Sequence, residues 1–247
     1  MTQPDKIDRY LCLSIDVVGY GGHDDRTQAA IQRRLIDLLD VAAAEAGVDR
    51  GLWIRQAKGD EELALVPAGG GVARVVGGFC LELAAALLRN NLRAGPEGPI
   101  RLRVGADEGL VEPGDNGFVG RPVVGATRLG ASQAAREALA AAPAASLVVV
   151  LAAGVHRDWV QSGRSGLPQE QFRLVRVHEK ETETDAWVWT PGTLQGTADV
   201  PAPEPAAPEP VAAAPVATVG GRTIIQNGTH STYIERAADV HFGYGRG

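Results

Sequence analysis

The sequence has 247 residues, of which 45% are apolar, 22% charged and 5% aromatic, which suits one large domain or one ordinary domain with an appendage. The net charge of -6 argues against a protein that coats nucleic acid or an anionic membrane, because both need a basic protein surface. The apolar run at 147–155 is too short to span a bilayer, and the N-terminal MTQPDKIDRY lacks the apolar segment of a secretory signal, so we expect a cytoplasmic protein.

Hydrophobic periodicity predicts alternating strands and helices over the first 192 residues. Residues 10–17 alternate as a strand, and residues 26–46 place apolar side chains on one face of a helix that Gly47 ends. Two short strands, 53–56 and 62–66, flank the turn Lys58-Gly59-Asp60. The later elements are a helix at 72–92, a strand at 100–106, a helix at 123–140, a strand at 147–151, a short helix through Trp159, and strands at 172–177 and 186–190.

This order of elements predicts the fold class. A strand, a helix, two strands, a helix and a strand in succession form the split βαβ core of ferredoxin-like α+β folds. The elements after residue 140 then add a small α/β extension. We therefore expect one folded domain over residues 8–192.

Composition changes abruptly after Gly192. Residues 193–220 are rich in Pro, Ala, Val and Glu, with the related units PAPEP and AAPEP, and they predict a disordered, extended linker. Residues 221–247 regain Ile, Tyr, Val and Phe around Asn227-Gly228, a dipeptide typical of hairpins. A lone hairpin is marginal in water, so this β-prone tail predicts an interaction motif that pairs with a sheet edge or stacks with identical copies. An ordinary disordered tail is the alternative.

Asp16 and Asp60 are the leading candidates for chemistry. In a split βαβ sheet, the end of the first strand lies beside the tip of the central hairpin, where these two residues stand. Two carboxylates there could hold two divalent ions over a triphosphate. The loop after Asp16 could offer backbone N–H groups to phosphate before the next helix. The alternatives are a strand-exit residue for Asp16 and a solvated turn residue for Asp60.

Four segments carry a resemblance to a known family. SIDVVGYG, AKGDEELALVP, RLRVGADEGLV and GRPVVGATRLGAS together resemble the catalytic domain of class III nucleotidyl cyclases, over about residues 8–190. The resemblance implies two metal ions, Mg2+ or Mn2+, on Asp16 and Asp60, and a transition-state arginine at Arg128. It also implies a nucleoside triphosphate substrate and a head-to-tail homodimer with sites at the interface. The residues that it assigns to triphosphate binding are Val17, Val18, Gly19 and Tyr20.

The sequence departs from this family at three positions. Val124 stands where the family has an asparagine near the reacting ribose. The base-recognition positions are Gln56 and Gly117, which match neither the adenine nor the guanine pattern, and Asp115 could substitute only if the loop shifts by two residues. Because glutamine both donates and accepts hydrogen bonds, a pyrimidine is as arguable as a purine.

Two functional hypotheses follow from these matches and departures. In the first, the domain is a cyclase of bacterial signalling that forms a 3′,5′-cyclic nucleotide and pyrophosphate. In the second, it is a catalytically degenerate signalling adaptor that recruits a partner through its tail. Residues 222–243 loosely resemble the short Asn/Gly-containing amyloid-signalling motifs at the termini of some bacterial signalling proteins.

Other polar residues are weaker candidates. Glu62 follows the hairpin turn and could add a third carboxylate. His23, Asp24 and Asp25 could form a metal cluster, but they are more typical of a helix N-cap. Lys180 could close over the site from the extension, although a solvated charge run is the simpler interpretation.

Overall fold

The chain divides into two units, residues 1–195 and 196–247, and a mixed eight-stranded sheet organises the first of them. The computed structural model describes residues 7–69, 71–95, 97–179 and 182–192, together with the backbone of three strands between residues 217 and 234. Within these residues, no helix has the length and apolar character that crossing a lipid bilayer would require.

The first half of the sheet has the predicted split βαβ arrangement. Strand β1 (Asp8–Val17) leads to helix α1 (Asp25–Glu45), to the hairpin of β2 (Ile54–Lys58) and β3 (Glu61–Pro67), and after further helix to β4 (Leu102–Gly114). The strands lie in the order β2-β3-β1-β4, with β1 antiparallel to both β3 and β4. The predicted ferredoxin-like α+β fold class is therefore confirmed.

The central strand β1 is apolar on both faces. Leu13 and Ile15 are buried in the main core with α1, whereas Tyr10 and Cys12 belong to a smaller cluster on the opposite face. Successive strand side chains point to opposite faces, so both sides of β1 must be covered. Ser14 and Asp16, toward the end of the strand, are polar and half-buried.

The segment predicted as one helix at 72–92 contains a π-helical turn. Helix α2 (Val72–Arg74) continues through this turn (Val75–Phe79) into α3 (Cys80–Asn91). A Cβ atom at Gly77 would lie 2.0 Å from the Ser165 carbonyl oxygen, so the close contact between these backbones requires glycine.

The prediction of one helix at 123–140 is wrong. Two helices, α4 (Arg121–Ala131) and α5 (Gln133–Ala141), meet at Ser132, whose backbone is extended with ψ 156°. The Ser132 hydroxyl accepts a hydrogen bond from the Ala135 N–H at 3.2 Å and donates one to the Leu129 carbonyl at 2.7 Å. The apolar periodicity continues across this cap, which explains why the sequence pattern conceals the break.

The extension completes the sheet on the far side of β4. Strand β5 (Gly117–Val119), which the sequence analysis missed, pairs with the end of β4. Strand β6 (Leu147–Ala152) runs parallel to β4, and β8 (Thr182–Trp189) and β7 (Arg173–Glu179) follow it in the order β4-β6-β8-β7. Between β6 and β7 lie the short helix α6 (Ala153–Val155) and a second π-helical turn (His156–Gln161).

His156 is buried among aromatic rings beneath this extension. It is 3% exposed, its ring is stacked on Trp187 with centroids 3.8 Å apart, and Phe172 meets it edge-on at 5.2 Å. Within the described residues its Nε2 has no hydrogen-bond partner. Burial without an acidic partner lowers the pKa of His156 below the usual histidine value.

We expect His156 to make folding pH-dependent. Because its pKa is lowered only in the folded state, stability is complete above the ordinary histidine pKa of about 6.5 and is lost as the pH falls below it, by up to about tenfold in the folding constant per pH unit. Urea unfolding of wild type and His156→Phe at pH 7.5 and pH 5.5 should show a smaller loss at acidic pH in the variant. The control is His178→Phe, at an exposed histidine, which should lose as much stability at acidic pH as wild type. An equal loss in wild type and His156→Phe would contradict the prediction.

The second unit contains a small antiparallel sheet. Strand β10 (Arg222–Asn227) lies between β9 (Ala217–Val219) and β11 (His230–Ile234), with Asn227 opposite His230. Strand β9 falls inside the predicted linker of 193–220, whose other residues lie outside the described part of the chain.

Candidate active site

The structure brings Asp16 and Asp60 together at one end of the sheet. Gly59 and Asp60 form the two-residue turn between β2 and β3, with Lys58 opposite Glu61 and Gly59 at φ 65°, as the first position of such turns requires. The Val17 N–H donates a hydrogen bond to the Asp60 carbonyl at 3.2 Å. The hairpin tip is thereby joined to the end of β1, directly after Asp16.

Arg103 contacts the Asp16 carboxylate, and the sequence analysis missed it. The two residues are opposite each other in the β1–β4 pair. Arg103 Nε donates to Asp16 Oδ2 at 2.9 Å, and Arg103 Nη2 donates to the same oxygen. The two side chains are 18% and 17% exposed. The available signal was the pair of arginines, Arg101 and Arg103, at the start of the strand RLRVGA, but only strand pairing identifies the partner of Arg103.

The loop predicted to bind triphosphate begins with two engaged amides. The Val17 N–H donates to Asp60, and the Val18 N–H donates to the Arg101 carbonyl at 2.9 Å. Gly19 adopts φ 79° and starts a single 3-10 turn. The Tyr20 hydroxyl accepts a hydrogen bond from Gln32 of α1. Any phosphate in this loop would therefore have to use amides beyond Val18.

The two predicted base-recognition residues are neighbours. A Cβ atom at Gly117 of β5 would lie 3.2 Å from Gln56 Oε1, and Gly117 has φ 112°, which favours glycine. Gln56 is half-buried in β2. The structure thus brings together two positions that are far apart in the sequence.

Arg128 and Val124 lie on one face of α4. They are four residues apart, which places side chains one above the other on a helix. Val124 is 48% exposed and Arg128 is half-buried. Helix α4 lies close to β4 because Gly105 is there: a Cβ atom at this position would lie 2.0 Å from the Ala126 carbonyl oxygen.

Asp107 is a further carboxylate that the sequence analysis did not single out. It belongs to β4, and its side chain faces α4, where a Cβ atom at Gly125 would lie 2.1 Å from Asp107 Oδ2. Burial raises the pKa of Asp107, while a hydrogen bond from the Glu108 N–H at 2.8 Å and the charge of Arg121 act in the opposite direction. Its signal in the sequence is the acidic pair Asp107-Glu108 after the apolar part of a strand.

The weaker candidates have structural surroundings. Glu62 is buried and paired with Arg50, so it does not add a third carboxylate beside Asp16 and Asp60. Asp24 caps α1 by accepting from the Thr27 N–H at 2.8 Å, which lowers the pKa of its carboxyl and confirms the N-cap interpretation. Lys180 lies outside the described residues. In the part of the chain that the structure covers, no three or more His, Cys, Asp or Glu side chains are grouped to hold a metal.

Comparison with known proteins identifies solved structures that share this fold. No protein-family model and no curated protein matches the chain. Among solved structures, it is similar to the adenylate/guanylate cyclase/hydrolase from Silicibacter pomeroyi, at 22% identity and a TM-score of 0.52, over 76% of this chain and 99% of that one. It is also similar to the guanylate cyclase domain of RhGC from Catenaria anguillulae in complex with GTP, at 16% identity and a TM-score of 0.52, over 76% and 99% of the two chains.

A third similar structure contains an analogue of ATP. It is the catalytic core of a rhodopsin-guanylyl cyclase with converted specificity in complex with ATPαS, at 14% identity and a TM-score of 0.53, over 75% of this chain and 97% of that one. At these identities the likeness shows a shared fold, that of class III nucleotidyl cyclase catalytic domains.

Proposed function

We propose that the first unit is a nucleotidyl cyclase that converts a nucleoside triphosphate into a 3′,5′-cyclic nucleotide and pyrophosphate. The observation that carries the proposal is the hydrogen bond between the Val17 N–H and the Asp60 carbonyl, because it joins the strand ends that bear Asp16 and Asp60. The cyclase-like fold supports the same conclusion. The ribose 3′-oxygen attacks the α-phosphorus as its hydroxyl proton is lost to water, and the bond to pyrophosphate breaks.

The residues at this end of the sheet fit divalent cations. Carboxylate oxygens are hard ligands, and Mg2+ is commonly bound by one or two carboxylates together with substrate phosphates and water. Arg103 uses only Oδ2 of Asp16, so Oδ1 is not used by that ion pair. We infer that Asp16 and Asp60 would hold two ions, Mg2+ or Mn2+, which would supply charge neutralisation at the reacting phosphates.

The protein groups around the two carboxylates would bind the substrate. With Asp16 holding a divalent ion, the Arg103 guanidinium would donate hydrogen bonds to phosphate oxygens, for which its planar fork is suited. Loop amides after Val18, from Gly19 and Tyr20, would assist. Arg128 would stabilise the charge that develops in the transition state. Gln56, beside Gly117, would contact the base.

An exposed apolar face supports the homodimer part of the proposal. Leu110 at the end of β4, Val119 of β5 and Val124 of α4 are 62%, 53% and 48% exposed. Gly120 brings the β4–β5 arm and the start of α4 together, since a Cβ atom there would lie 2.5 Å from the Leu110 carbonyl oxygen. Apolar surface of this kind, next to Arg128, suits a contact with a second copy that shares the site.

One assay tests the reaction and identifies its base. Purified chain is incubated with each of the four ribonucleoside triphosphates and Mn2+, and products are separated by mass. We expect one 3′,5′-cyclic nucleotide and an equal amount of pyrophosphate. No cyclic product from any triphosphate would contradict the cyclase proposal.

The adaptor is the second candidate, and Val124 favours it. An apolar side chain at this position cannot donate the hydrogen bond expected from asparagine there. In this case the tail would carry the function. Among the described strands, β9 and β11 each have one neighbour in the tail sheet, and open edges of this kind can pair with another chain. We propose that the tail binds a partner or its own copies by strand pairing.

We expect Ile225→Pro to prevent this association. Ile225 lies opposite Thr232 in the central strand β10, where proline cannot donate a ladder hydrogen bond. Association of wild-type chains beyond the dimer of the first unit, measured by sedimentation and thioflavin fluorescence, should be lost in the variant. The melting temperature of the first unit should be unchanged on deletion of residues 221–247. Wild-type and Ile225→Pro chains that both show no association beyond the dimer at high concentration would contradict the prediction.

A further inference from the structure

The sequence of β3 does not by itself define how this strand pairs with β1. Ala64 and Val66 are buried in the main core, while Leu65 is buried in the cluster on the opposite face. Side chains along a strand alternate, so a slip by one residue exchanges the two faces. Such a slip would still bury apolar side chains on both sides of β3.

Glu62 breaks this apolar pattern. It is 5% exposed on the core face of β3, and its partner Arg50 is also 5% exposed. Arg50 Nη2 donates to both Glu62 oxygens, at 2.7 and 2.9 Å, while Arg50 Nη1 donates to Asp40 of α1. The Arg50 guanidinium carbon lies 5.7 Å from the centre of the Trp53 ring. These contacts hold Arg50 in place, so Glu62 meets it only in the observed register.

A slipped strand would carry a large cost at this pair. Turning Glu62 to the opposite face would leave the buried Arg50 with Asp40, whose side chain is 57% exposed, as its remaining carboxylate partner, and a buried charge that loses a partner is strongly unfavourable. By contrast, a correctly paired buried ion pair contributes little more stability than apolar side chains of the same size. The ion pair therefore adds little to the overall stability, and its main effect is to favour the observed register of β3 over a slipped one.

We propose that the buried Arg50–Glu62 ion pair fixes the register of β3 and thereby positions Asp60 beside Asp16. In this register the Asp60 carbonyl meets the Val17 N–H. Arg50 and Glu62 act through the hairpin, and neither contacts substrate in this assignment, so both are positioning residues. The consequence for metal binding rests on the proposed function, whereas the consequence for strand register does not.

The test removes the ion pair while keeping the core filled. The double variant Arg50→Met with Glu62→Met is compared with wild type by native-state hydrogen exchange at the Val17 amide, which reports the bond to Asp60. We expect exchange at Val17 to become at least about tenfold faster, while amides in the middle of β1 keep their protection. The Mn2+ dissociation constant, measured by electron paramagnetic resonance, should rise by at least about tenfold.

A matched control replaces an ion pair elsewhere. Arg34 Nη1 and Glu97 Oε1 lie 2.9 Å apart, and the two side chains are 23% and 21% exposed. The double variant Arg34→Met with Glu97→Met should leave both the exchange rate at Val17 and the Mn2+ dissociation constant unchanged. A folded Arg50→Met, Glu62→Met chain with wild-type exchange at Val17 would overturn the proposal. If that chain does not fold, the variant Glu62→Gln tests the proposal, because it removes the charge but keeps the side-chain size and one oxygen acceptor for Arg50. Faster exchange at Val17 in Glu62→Gln would support the proposal, and the wild-type rate would overturn it.

The two measurements separate the inference from the proposed function. Wild-type chain that binds no Mn2+ would contradict the metal site and hence the cyclase, while exchange at Val17 would still decide the register role. Mn2+ binding that persists with wild-type affinity in a double variant whose Val17 amide exchanges faster would overturn the step from register to the position of Asp60.

Discussion

Replacing Asp60 with alanine should reduce metal-dependent formation of cyclic nucleotide by at least about 1,000-fold, equivalent to about 4 kcal/mol of lost transition-state stabilisation. The expected loss is large because each ion would have only two protein carboxylates to bind. The fold should be retained, because Asp60 is half-buried at a turn and its backbone carbonyl, not its side chain, accepts from Val17. Initial rates with Mn2+ and thermal unfolding of the same preparations test both parts.

Asp16→Ala should have the same effect on activity, with one structural difference. It removes the partner of Arg103, which is largely buried. A modest loss of stability is therefore expected for Asp16→Ala and not for Asp60→Ala. Asp37→Asn, at an exposed position on α1, is the control and should change neither property. Full activity in Asp60→Ala, or its unfolding, would contradict the two-carboxylate assignment.

Mixing Asp16→Ala chains with Arg128→Ala chains should restore activity that neither variant has alone. If each site takes its carboxylates from one subunit and Arg128 from the other, a heterodimer has one site free of both substitutions. Random exchange of subunits then gives about one quarter of the wild-type rate. The experiment measures cyclic product before and after mixing, with time for the subunits to exchange.

The control for complementation is a mixture in which no intact site can form. In a heterodimer of Asp16→Ala and Asp60→Ala chains, one site lacks Asp16 and the other lacks Asp60, because each subunit supplies both carboxylates of its own site. This mixture should remain inactive. Recovery in the control, or none in the test mixture of chains shown to form dimers, would contradict a shared site.

Strand and helix positions in the first unit could largely be predicted from the sequence. The period of two along β1 and the apolar face of α1 are local properties, and they were sufficient for the order of elements and for the ferredoxin-like fold class. The same order predicted that Asp16 and Asp60 would meet at one end of the sheet. The turn at Gly59 supplied the remaining local signal, because a two-residue hairpin requires this kind of residue.

Long-range contacts determined the features that the sequence analysis missed. Arg103 became a candidate residue only when β4 was paired with β1 and its guanidinium met Asp16. The break at Ser132 was hidden because the apolar spacing of α4 continues into α5. Local patterns report which face of an element is apolar, but not which element lies against it.

Glu62 shows most clearly which features are determined by the sequence and which by the tertiary structure. The sequence by itself determined that a carboxylate follows the hairpin turn within an apolar strand. Only the tertiary structure decided that this carboxylate is buried against Arg50, twelve residues earlier, and is not a ligand at the site. The physical reason is that pairing register and burial arise from contacts between segments, and an apolar strand such as β3 is compatible with more than one of them.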